Sequence, residues 1–235
     1  MRVAVTGVSG FIGSYLVRRL AACGHQVTGL VRDRSRRDHI APFVDRFVKG
    51  GQADESCWPD LLDSADCIIH NAVARSAWAD GQADPLDLHL QSNLVGSIKL
   101  LRASAPRPFI FISSMAVHMD MDHSRIKPDR DAHPLPGSYY AAFKSAIEAH
   151  LRAEQADGRD TVIIRPCRTY GIDPDLERSE GYDLIERLRR GEVIRRAGWG
   201  RWVHIDDVAT AIVAAVGNHA ASGRAYDLVD CYARH

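Results

Sequence analysis

Two side chains in the middle of the chain have the spacing of an acid–base pair. Tyr140 and Lys144 are four residues apart, which places both side chains on one face of a helix. An ammonium group beside a phenol stabilises the phenolate and lowers the pKa of the tyrosine toward neutrality. Such a tyrosine can give a proton to a carbonyl oxygen, or take one from an alcohol, as hydride moves. A surface helix with an incidental Tyr–Lys pair is the alternative interpretation.

A glycine-rich turn near the N-terminus could hold a phosphorylated cofactor. Apolar residues before it predict a buried strand, and those after it have helical spacing. A strand that turns directly into a helix aims unpaired N–H groups and the positive end of the helix dipole at one point. We therefore predict a dinucleotide phosphate site here, with a turn that binds no ligand as the alternative. The predicted cofactor contacts in this turn are Gly7, Gly10, Phe11, Ile12 and Gly13.

The end of the second predicted strand bears on the choice between NAD and NADP. This strand covers residues 26–31, and four arginines follow it within six residues. An acidic residue here binds the ribose hydroxyls of NAD, whereas arginine accommodates the 2′-phosphate of NADP. Because guanidinium groups suit phosphate, Arg32 and Arg34 favour NADP over NAD. A solvated arginine-rich loop, or Asp33 acting as the ribose acid, is the alternative.

Strands and helices alternate along the whole chain. Further strands are predicted at 43–49, 65–72, 109–114, 161–165 and 225–229, and helices at 87–103, 138–154, 179–190 and 206–216. Alternation predicts an α/β fold with a doubly wound parallel sheet and helices on both faces. Residues 1–170 are expected to form the dinucleotide-binding domain. Residues 171–235 are expected to form a reduced, substrate-facing C-terminal part, in which 201–229 returns to pack on the sheet.

The overall composition excludes several classes of function. The chain has 235 residues, a net charge of zero and a pI of about 7.2, so nothing predicts binding to nucleic acid or a membrane. Five scattered cysteines without metal-ligand spacing predict free thiols in a reducing compartment, and we expect a cytoplasmic protein. His118, His123 and His133 fit no ligand pattern with nearby aspartates, so no metal site is predicted.

Several segments together resemble the short-chain dehydrogenase/reductase superfamily, in its extended, epimerase/dehydratase-like branch. The resemblance covers nearly the whole chain and implies a Rossmann-type fold. The matching segments are 6–13 for the cofactor loop, 66–72 for the adenosine-side strand, 93–97 for a helix motif, 112–118 for the active-site strand, Tyr140 with Lys144 for the catalytic pair, 165–171 for the nicotinamide side and 203–209 for a late signature.

The resemblance also implies roles for individual residues. Tyr140 would be the acid/base, Lys144 would hold the nicotinamide ribose and tune Tyr140, and Ser114 would hydrogen-bond the substrate oxygen. Asn93 is expected to be structural rather than catalytic. In the family, the helices that carry Asn93 and Tyr140 often pair across a dimer axis, so a homodimer is one interpretation of this helix face. Burial of the face within a single chain is the equally compatible alternative. Further cofactor contacts are implied for Ala72, Val73 and Pro166.

Some positions depart from the family pattern. Dehydratases of this branch have an Asp-Glu pair after the active-site hydroxyl, but Met115 and Ala116 stand here, which argues against dehydration. Gly200 stands where nucleotide-sugar enzymes have a phosphate-binding arginine. Arg201 follows one place later, and Arg195 or Arg196 is the alternative ligand, so this departure is mild evidence against a nucleotide sugar. Gln52 follows two glycines where many members have Gly-Asp, which predicts weaker adenine contacts. His118 replaces a common tyrosine, and a solvent-side or packing role is expected for it.

The predicted function is therefore an NAD(P)-dependent oxidoreductase that transfers hydride between a nicotinamide and a small molecule with a carbonyl or hydroxyl group. A nucleotide-sugar epimerase is the first alternative. The second is a non-catalytic, dinucleotide-binding regulatory protein, against which Ser114, Tyr140 and Lys144 argue. Because relatives continue past the final strand, the short chain predicts either a shallow pocket or a natural sequence that extends further.

Overall fold

The computed structural model describes residues 1–74, 85–118, 136–194 and 199–234. The strands of this part of the chain are β1 (Arg2–Thr6), β2 (Gln26–Val31), β3 (Arg46–Lys49), β4 (Cys67–His70), β5 (Phe109–Ile112), β6 (Thr161–Pro166), β7 (Arg168–Tyr170), β8 (Trp199–His204), β9 (Ala225–Leu228) and β10 (Cys231–Arg234). Seven of them form one sheet in the order β3-β2-β1-β4-β5-β6-β9. All neighbours in this sheet are parallel, so the predicted Rossmann-type α/β fold is confirmed.

Helices connect the strands. In the described residues they are α1 (Phe11–Ala22), α2 (Trp58–Leu62), α3 (Pro85–Leu88), α4 (Gly96–Ala103), α5 (Tyr139–Ala156), α6 (Tyr182–Arg189) and α7 (Ile205–Ala215). The single helix predicted at 87–103 is a continuous helical stretch, in which a π-helical segment, His89–Val95, separates α3 from α4. The Ser138 hydroxyl caps α5 by accepting a hydrogen bond from the Ala141 N–H (3.2 Å).

Two hydrophobic layers cover the two faces of the sheet. The alternation of β1 sends Val3 and Val5 to one layer and Ala4 to the other. The first layer is completed by α1 and α7, which pack against each other, and the second by α2, α4 and α5. Because side chains of a strand alternate between faces, helices on both sides are needed to bury them.

A second, smaller sheet begins with β7, which lies inside the segment 165–171. Within the described residues it has the order β10-β8-β7, with β7 parallel and β10 antiparallel to β8. The sequence analysis predicted none of these strands. Between β8 and β10 the chain returns to the main sheet, where β9 pairs with β6. By contrast, α6 buries no residue, and its Ile185 and Leu188 are 51% and 56% exposed.

The described residues contain neither a membrane-spanning helix nor a cluster of metal-ligating side chains. In the ranges given above, no helix combines the length and apolar character needed to cross a lipid bilayer. The same ranges contain no group of three or more His, Cys, Asp or Glu side chains placed to hold a metal ion. His123 and His133 of the candidate metal loop lie outside the described residues.

Candidate active site

The glycine-rich turn between β1 and α1 is packed tightly on two sides. Gly7 has a φ of +74°, and a Cβ there would lie 2.9 Å from the backbone of Ala72. A Cβ on Gly13 would lie 2.1 Å from the Gly7 carbonyl oxygen and 2.8 Å from the backbone of Val8. The fold itself therefore requires glycine at both positions, because α1 and the loop after β4 approach the turn too closely for a side chain.

Gly10 differs from its two neighbours in the motif. A Cβ there would meet only the Gly7 oxygen, at an ordinary contact distance of 3.5 Å, so packing does not require glycine. The first helical hydrogen bond joins the Ser14 N–H to the Gly10 oxygen (2.8 Å), and the N–H groups of Phe11, Ile12 and Gly13 precede the helical ladder. N–H donors without a helical partner, beside a position without a side chain, fit a close-approaching pyrophosphate.

A buried chain of hydrogen bonds joins the end of β1 to the end of β4. The Thr6 hydroxyl accepts from two backbone N–H groups after β4 (both 3.1 Å), so its own proton is donated to His70 Nδ1 (2.7 Å). His70 Nε2 therefore carries the proton that is donated to Ser97 Oγ (2.8 Å). Burial, and then the charge of Lys144, lower the pKa of His70 to about 3, so the ring is neutral. His70 lies in the segment 66–72 that matches the family, but no local spacing in the sequence predicts this role.

Asn93 secures the loop that follows β4. Its side-chain amide pairs with both backbone groups of Ala74, accepting from the N–H (2.8 Å) and donating to the oxygen (3.2 Å). Gln52 Nε2 also donates to Asn93 Oδ1 (2.7 Å). These bonds fix the loop that contains Ala72 and Val73, and they give Asn93 a structural task, as the resemblance implied.

The segment after β2 carries the predicted 2′-phosphate ligands. Arg32 is the first residue after the strand, and Arg32 and Arg34 are both exposed. The carboxylate of Asp33 lies 3.7 Å from Lys49 Nζ, at the end of β3. Asp33, the alternative ribose ligand, is thus oriented toward the neighbouring strand.

Lys144 is buried at the carboxyl end of β5. It is only 2% exposed, and its Nζ donates to the oxygen of Ile112 (2.6 Å). The same Nζ lies 4.5 Å from the centroid of the Phe111 ring and 5.9 Å from that of Tyr140. The lysine therefore attaches α5 to the strand end that precedes Ser114, and its charge lies near the ring of Tyr140.

Ser114 begins the short turn after β5. The turn is a 3₁₀ helix, Met115–His118. Ser114 is partly exposed, and its Oγ accepts a hydrogen bond from the N–H of Ala116 (3.2 Å). Accepting that bond orients the hydroxyl and leaves its proton available for donation to another oxygen.

His118 does not lie at a solvent-side position. It is 4% exposed, and its Nε2 accepts a hydrogen bond from Arg165 Nη1 (2.9 Å). Burial, followed by the charge of Arg165, lowers the pKa of His118. The solvent-side part of the sequence expectation is therefore wrong, and the packing part agrees with the burial of the ring.

Most of the predicted site residues follow neighbouring strands of the sheet. Strands β2, β1, β4, β5 and β6 are adjacent and parallel, so their carboxyl ends lie at one edge, where ligands of doubly wound sheets bind. That edge carries the glycine turn, Arg32 and Arg34, Ala72 and Val73, Ser114, and Pro166 as the last residue of β6. Tyr140 and Lys144 come from the start of α5, whose Lys144 reaches the end of β5.

Known proteins are similar to this chain over nearly its whole length. A sequence model of the NAD dependent epimerase/dehydratase family matches residues 3–228. Tetraketide alpha-pyrone reductase 1 of Arabidopsis thaliana is 28% identical over 250 residues, which cover 95% of this chain and 74% of the relative. UDP-glucose 4-epimerase of Mycolicibacterium smegmatis is 31% identical over 245 residues, which cover 97% of this chain and 77% of the relative.

Solved structures show the same fold. The UDP-glucose 4-epimerase of Thermus thermophilus, in complex with NAD, superposes with a TM-score of 0.79 at 23% identity, covering 100% of this chain and 79% of that one. The UDP-glucuronic acid 4-epimerase of Bacillus cereus, with NAD and UDP-glucuronic acid, has a TM-score of 0.81 at 21% identity, covering 100% and 79%. The chain belongs to the NAD dependent epimerase/dehydratase family, within the extended short-chain dehydrogenase/reductase superfamily.

Proposed function

We propose that this protein is an NADP-dependent oxidoreductase that interconverts a carbonyl and a hydroxyl group, with Tyr140 as its acid and base. One observation carries the proposal. Lys144 lies on the same helix as Tyr140, and its buried ammonium, Nζ, donates a hydrogen bond to the Ile112 oxygen (2.6 Å). An ammonium beside a phenol is the arrangement that makes tyrosine an effective proton donor and acceptor near neutral pH.

The proposed roles follow from the positions of the side chains. Ser114 donates a hydrogen bond to the substrate oxygen and orients it. Tyr140 gives its phenolic proton to that oxygen during reduction, and the positive charge of Lys144 stabilises the phenolate that is left. A bound nicotinamide supplies the hydride for reduction and accepts it for oxidation. The glycine turn and the first turn of α1 would hold the pyrophosphate of that cofactor.

The preference for NADP over NAD rests on the segment after β2. Arg32 and Arg34 are exposed there, and arginine binds a 2′-phosphate through charge-assisted hydrogen bonds. Asp33, the residue that could bind ribose hydroxyls instead, faces Lys49 (3.7 Å). These positions support NADP, although NAD is the cofactor in several of the complexes with similar folds.

Reduction is favoured over dehydration because Met115 and Ala116 have no acid–base chemistry, whereas a dehydratase needs acidic groups there. Curated relatives include dihydroflavonol 4-reductase and 2-alkyl-3-oxoalkanoate reductase. The second candidate is epimerisation of a nucleotide sugar, favoured by the 31% identity to the UDP-glucose 4-epimerase. The two differ in net turnover, because a reductase consumes NADPH and an epimerase returns its cofactor unchanged.

Replacement of Tyr140→Phe tests this proposal. The variant keeps the ring but loses the proton, so we expect turnover to fall at least about a hundredfold while NADPH binding is retained. Tyr139→Phe is the matched control, because Tyr139 precedes it on the same helix and is 63% exposed. The assay follows loss of NADPH absorbance with two carbonyl probes, a dihydroflavonol and a 2-alkyl-3-oxoalkanoate, and UDP-glucose is tested separately for conversion into its 4-epimer. Equal turnover in the two variants would contradict the role of Tyr140.

The homodimer implied by the family resemblance stays a proposal. Ala142 and Ala149 are exposed on α5, and small side chains allow two helices to approach closely. Analytical ultracentrifugation tests this: a mass of two chains supports pairing, and a single-chain mass at micromolar concentration contradicts it.

A further inference from the structure

A buried ionic cluster lies behind the segment that carries Ser114. Glu148, on α5, is fully buried, and Arg165, on β6, is 6% exposed. The two side chains form a forked pair, in which Arg165 Nε donates to Glu148 Oε1 (2.9 Å) and Nη2 donates to Oε2 (2.6 Å). Burial raises the pKa of the Glu148 carboxyl, but the hydrogen bonds and charge of Arg165 outweigh that effect, and the pKa lies below its usual value. The carboxylate is therefore ionised.

The cluster is attached to the chain on both sides of Ser114. The Ser113 hydroxyl donates to Glu148 Oε1 (2.5 Å). On the other side of the turn, Arg165 Nη1 donates to His118 Nε2 (2.9 Å). Ser114 thus lies between two anchors that converge on one ion pair.

The same helix face carries the proposed catalytic pair. Tyr140, Lys144 and Glu148 follow one another at intervals of four residues, so they line one face of α5. Lys144 bonds the oxygen of Ile112 and Glu148 bonds the hydroxyl of Ser113. Two consecutive residues at the end of β5 are therefore tied to two consecutive turns of the helix that presents Tyr140.

Stability alone does not explain this cluster. Removing charges from water is costly, and replacing a buried ion pair by apolar residues of similar volume is often neutral or stabilising. Within the described residues, the cluster also leaves one ring nitrogen of His118 without a hydrogen-bond partner. Because arginine only donates, His118 Nε2 is the acceptor and the ring proton lies on Nδ1, which has no hydrogen-bond partner among the described residues. Such a costly arrangement is more readily explained by the geometry that it imposes.

We infer that Glu148 and Arg165 are positioning residues, which hold the segment carrying Ser114 in register with Tyr140 and Lys144. The catalytic part of this inference rests on the proposed function, which assigns roles to Ser114 and Tyr140. The mechanical part rests only on the contacts of the cluster. Neither residue touches the substrate in this account; both act through the position of Ser114.

The test removes one anchor and leaves the ion pair intact. In Ser113→Ala, Glu148 Oε1 still accepts from Arg165 Nε (2.9 Å), so no charge is left unpaired and the fold is retained. Ser113→Thr restores a hydroxyl and serves as the rescue. Arg152→Ala is the control, because Arg152 bonds Glu148 Oε2 (3.1 Å) through a half-exposed side chain and, among the described residues, makes no hydrogen bond to residues 113–118.

The first measurement is amide hydrogen exchange in the turn, which needs no substrate. The N–H groups of Ala116 and Val117 bond the side chain and the backbone oxygen of Ser114 (both 3.2 Å). Ser113→Ala should reduce their protection at least about tenfold, as local opening becomes easier. Ser113→Thr should restore the protection and Arg152→Ala should leave it unchanged. Wild-type protection in Ser113→Ala would overturn the inference, whatever the activity.

The second measurement separates positioning from general destabilisation. With NADPH and whichever carbonyl probe the wild type reduces, Ser113→Ala should lower kcat about ten- to a hundredfold, because a displacement of about 1 Å has effects of this size. KM should stay within about twofold of the wild type, and Ser113→Thr should recover kcat. Wild-type kcat in Ser113→Ala would overturn the catalytic part. An inactive wild type with the expected exchange pattern would contradict the proposed function and still support the holding of Ser114.

Discussion

Two alanine substitutions in the glycine turn separate folding from cofactor binding. A Cβ on residue 13 would lie 2.1 Å from the Gly7 oxygen and 2.8 Å from the backbone of Val8. Both neighbours are backbone, so neither can rotate away, and α1 must move from β1. A Cβ on residue 10 would meet only the Gly7 oxygen, at 3.5 Å. Gly13→Ala should therefore damage the fold, whereas Gly10→Ala should damage only the binding of a ligand at the turn.

The expected magnitudes follow from these distances. Overpacking costs about 1–3 kcal/mol, and the contact with backbone on both sides places Gly13→Ala near about 3 kcal/mol. For a chain of this size, 1 kcal/mol shifts Tm by about 2–4 °C, so Tm should fall by about 6–12 °C. Gly10 has extended backbone angles, φ −83° and ψ 178°, that alanine adopts. Loss of its capping preference costs at most about 1 kcal/mol, so Tm should fall by about 4 °C or less.

Gly10→Ala should weaken cofactor binding more than it lowers the stability of the fold. The methyl group of Gly10→Ala would enter the space of the pyrophosphate, and the same overpacking cost of about 1–3 kcal/mol corresponds to about a 5- to 150-fold weaker affinity. Thermal unfolding followed by circular dichroism gives Tm, and titration calorimetry with NADPH gives Kd. Wild-type affinity in Gly10→Ala would refute the placement of the pyrophosphate. Wild-type Tm in Gly13→Ala would refute the packing argument.

Other predictions concern cofactor choice and pH. Replacing Arg32 and Arg34 by alanine together should weaken NADPH binding about 10- to 100-fold, as expected for lost charged hydrogen bonds, and change NADH binding little; equal losses would contradict the assignment. The pKa of His70 is about 3 in the folded chain, against about 6.5 for an unperturbed histidine, so the unfolded chain takes up a proton first on acidification. As the pH falls below about 6.5, the free energy of unfolding should therefore decrease more steeply in the wild type than in His70→Gln. The difference between the two slopes should be about 1.4 kcal/mol per pH unit. Parallel slopes in urea unfolding between pH 7 and pH 5 would contradict the buried, neutral histidine.

Regular elements of the fold follow local patterns and were predictable from the sequence. Strand β2 has the predicted bounds, Gln26–Val31, because an apolar run ends at a cluster of arginines. A helix was predicted from residue 138, and the hydroxyl of Ser138 caps α5 by accepting the bond from the Ala141 N–H. The parallel sheet followed from the alternation of strands and helices. The strands β7, β8 and β10 were not predicted, because no strong local pattern in the sequence marks them. They pair only with one another, in the small sheet.

The supporting contacts of the site depend on tertiary structure and could not be predicted in the same way. Ser113 and Glu148 are 35 residues apart, and Thr6 and His70 are 64 apart, so no local spacing links them. The tautomer of His70 depends on which backbone groups already bond Thr6. The burial of His118 depends on Arg165 of another strand. Sequence motifs predict the candidate catalytic residues, whereas these distant contacts determine how those residues are held in place.

Transfer of labelled hydride tests the central claim most directly. The protein is incubated with NADPH that carries deuterium at the transferable position of the nicotinamide, together with the carbonyl probes named above. The wild type and Tyr139→Phe should form an alcohol product that contains deuterium. Tyr140→Phe should form this product at least about a hundredfold more slowly. An isomerised nucleotide sugar with no net loss of NADPH, or binding of NADPH without turnover of any probe, would contradict the central claim.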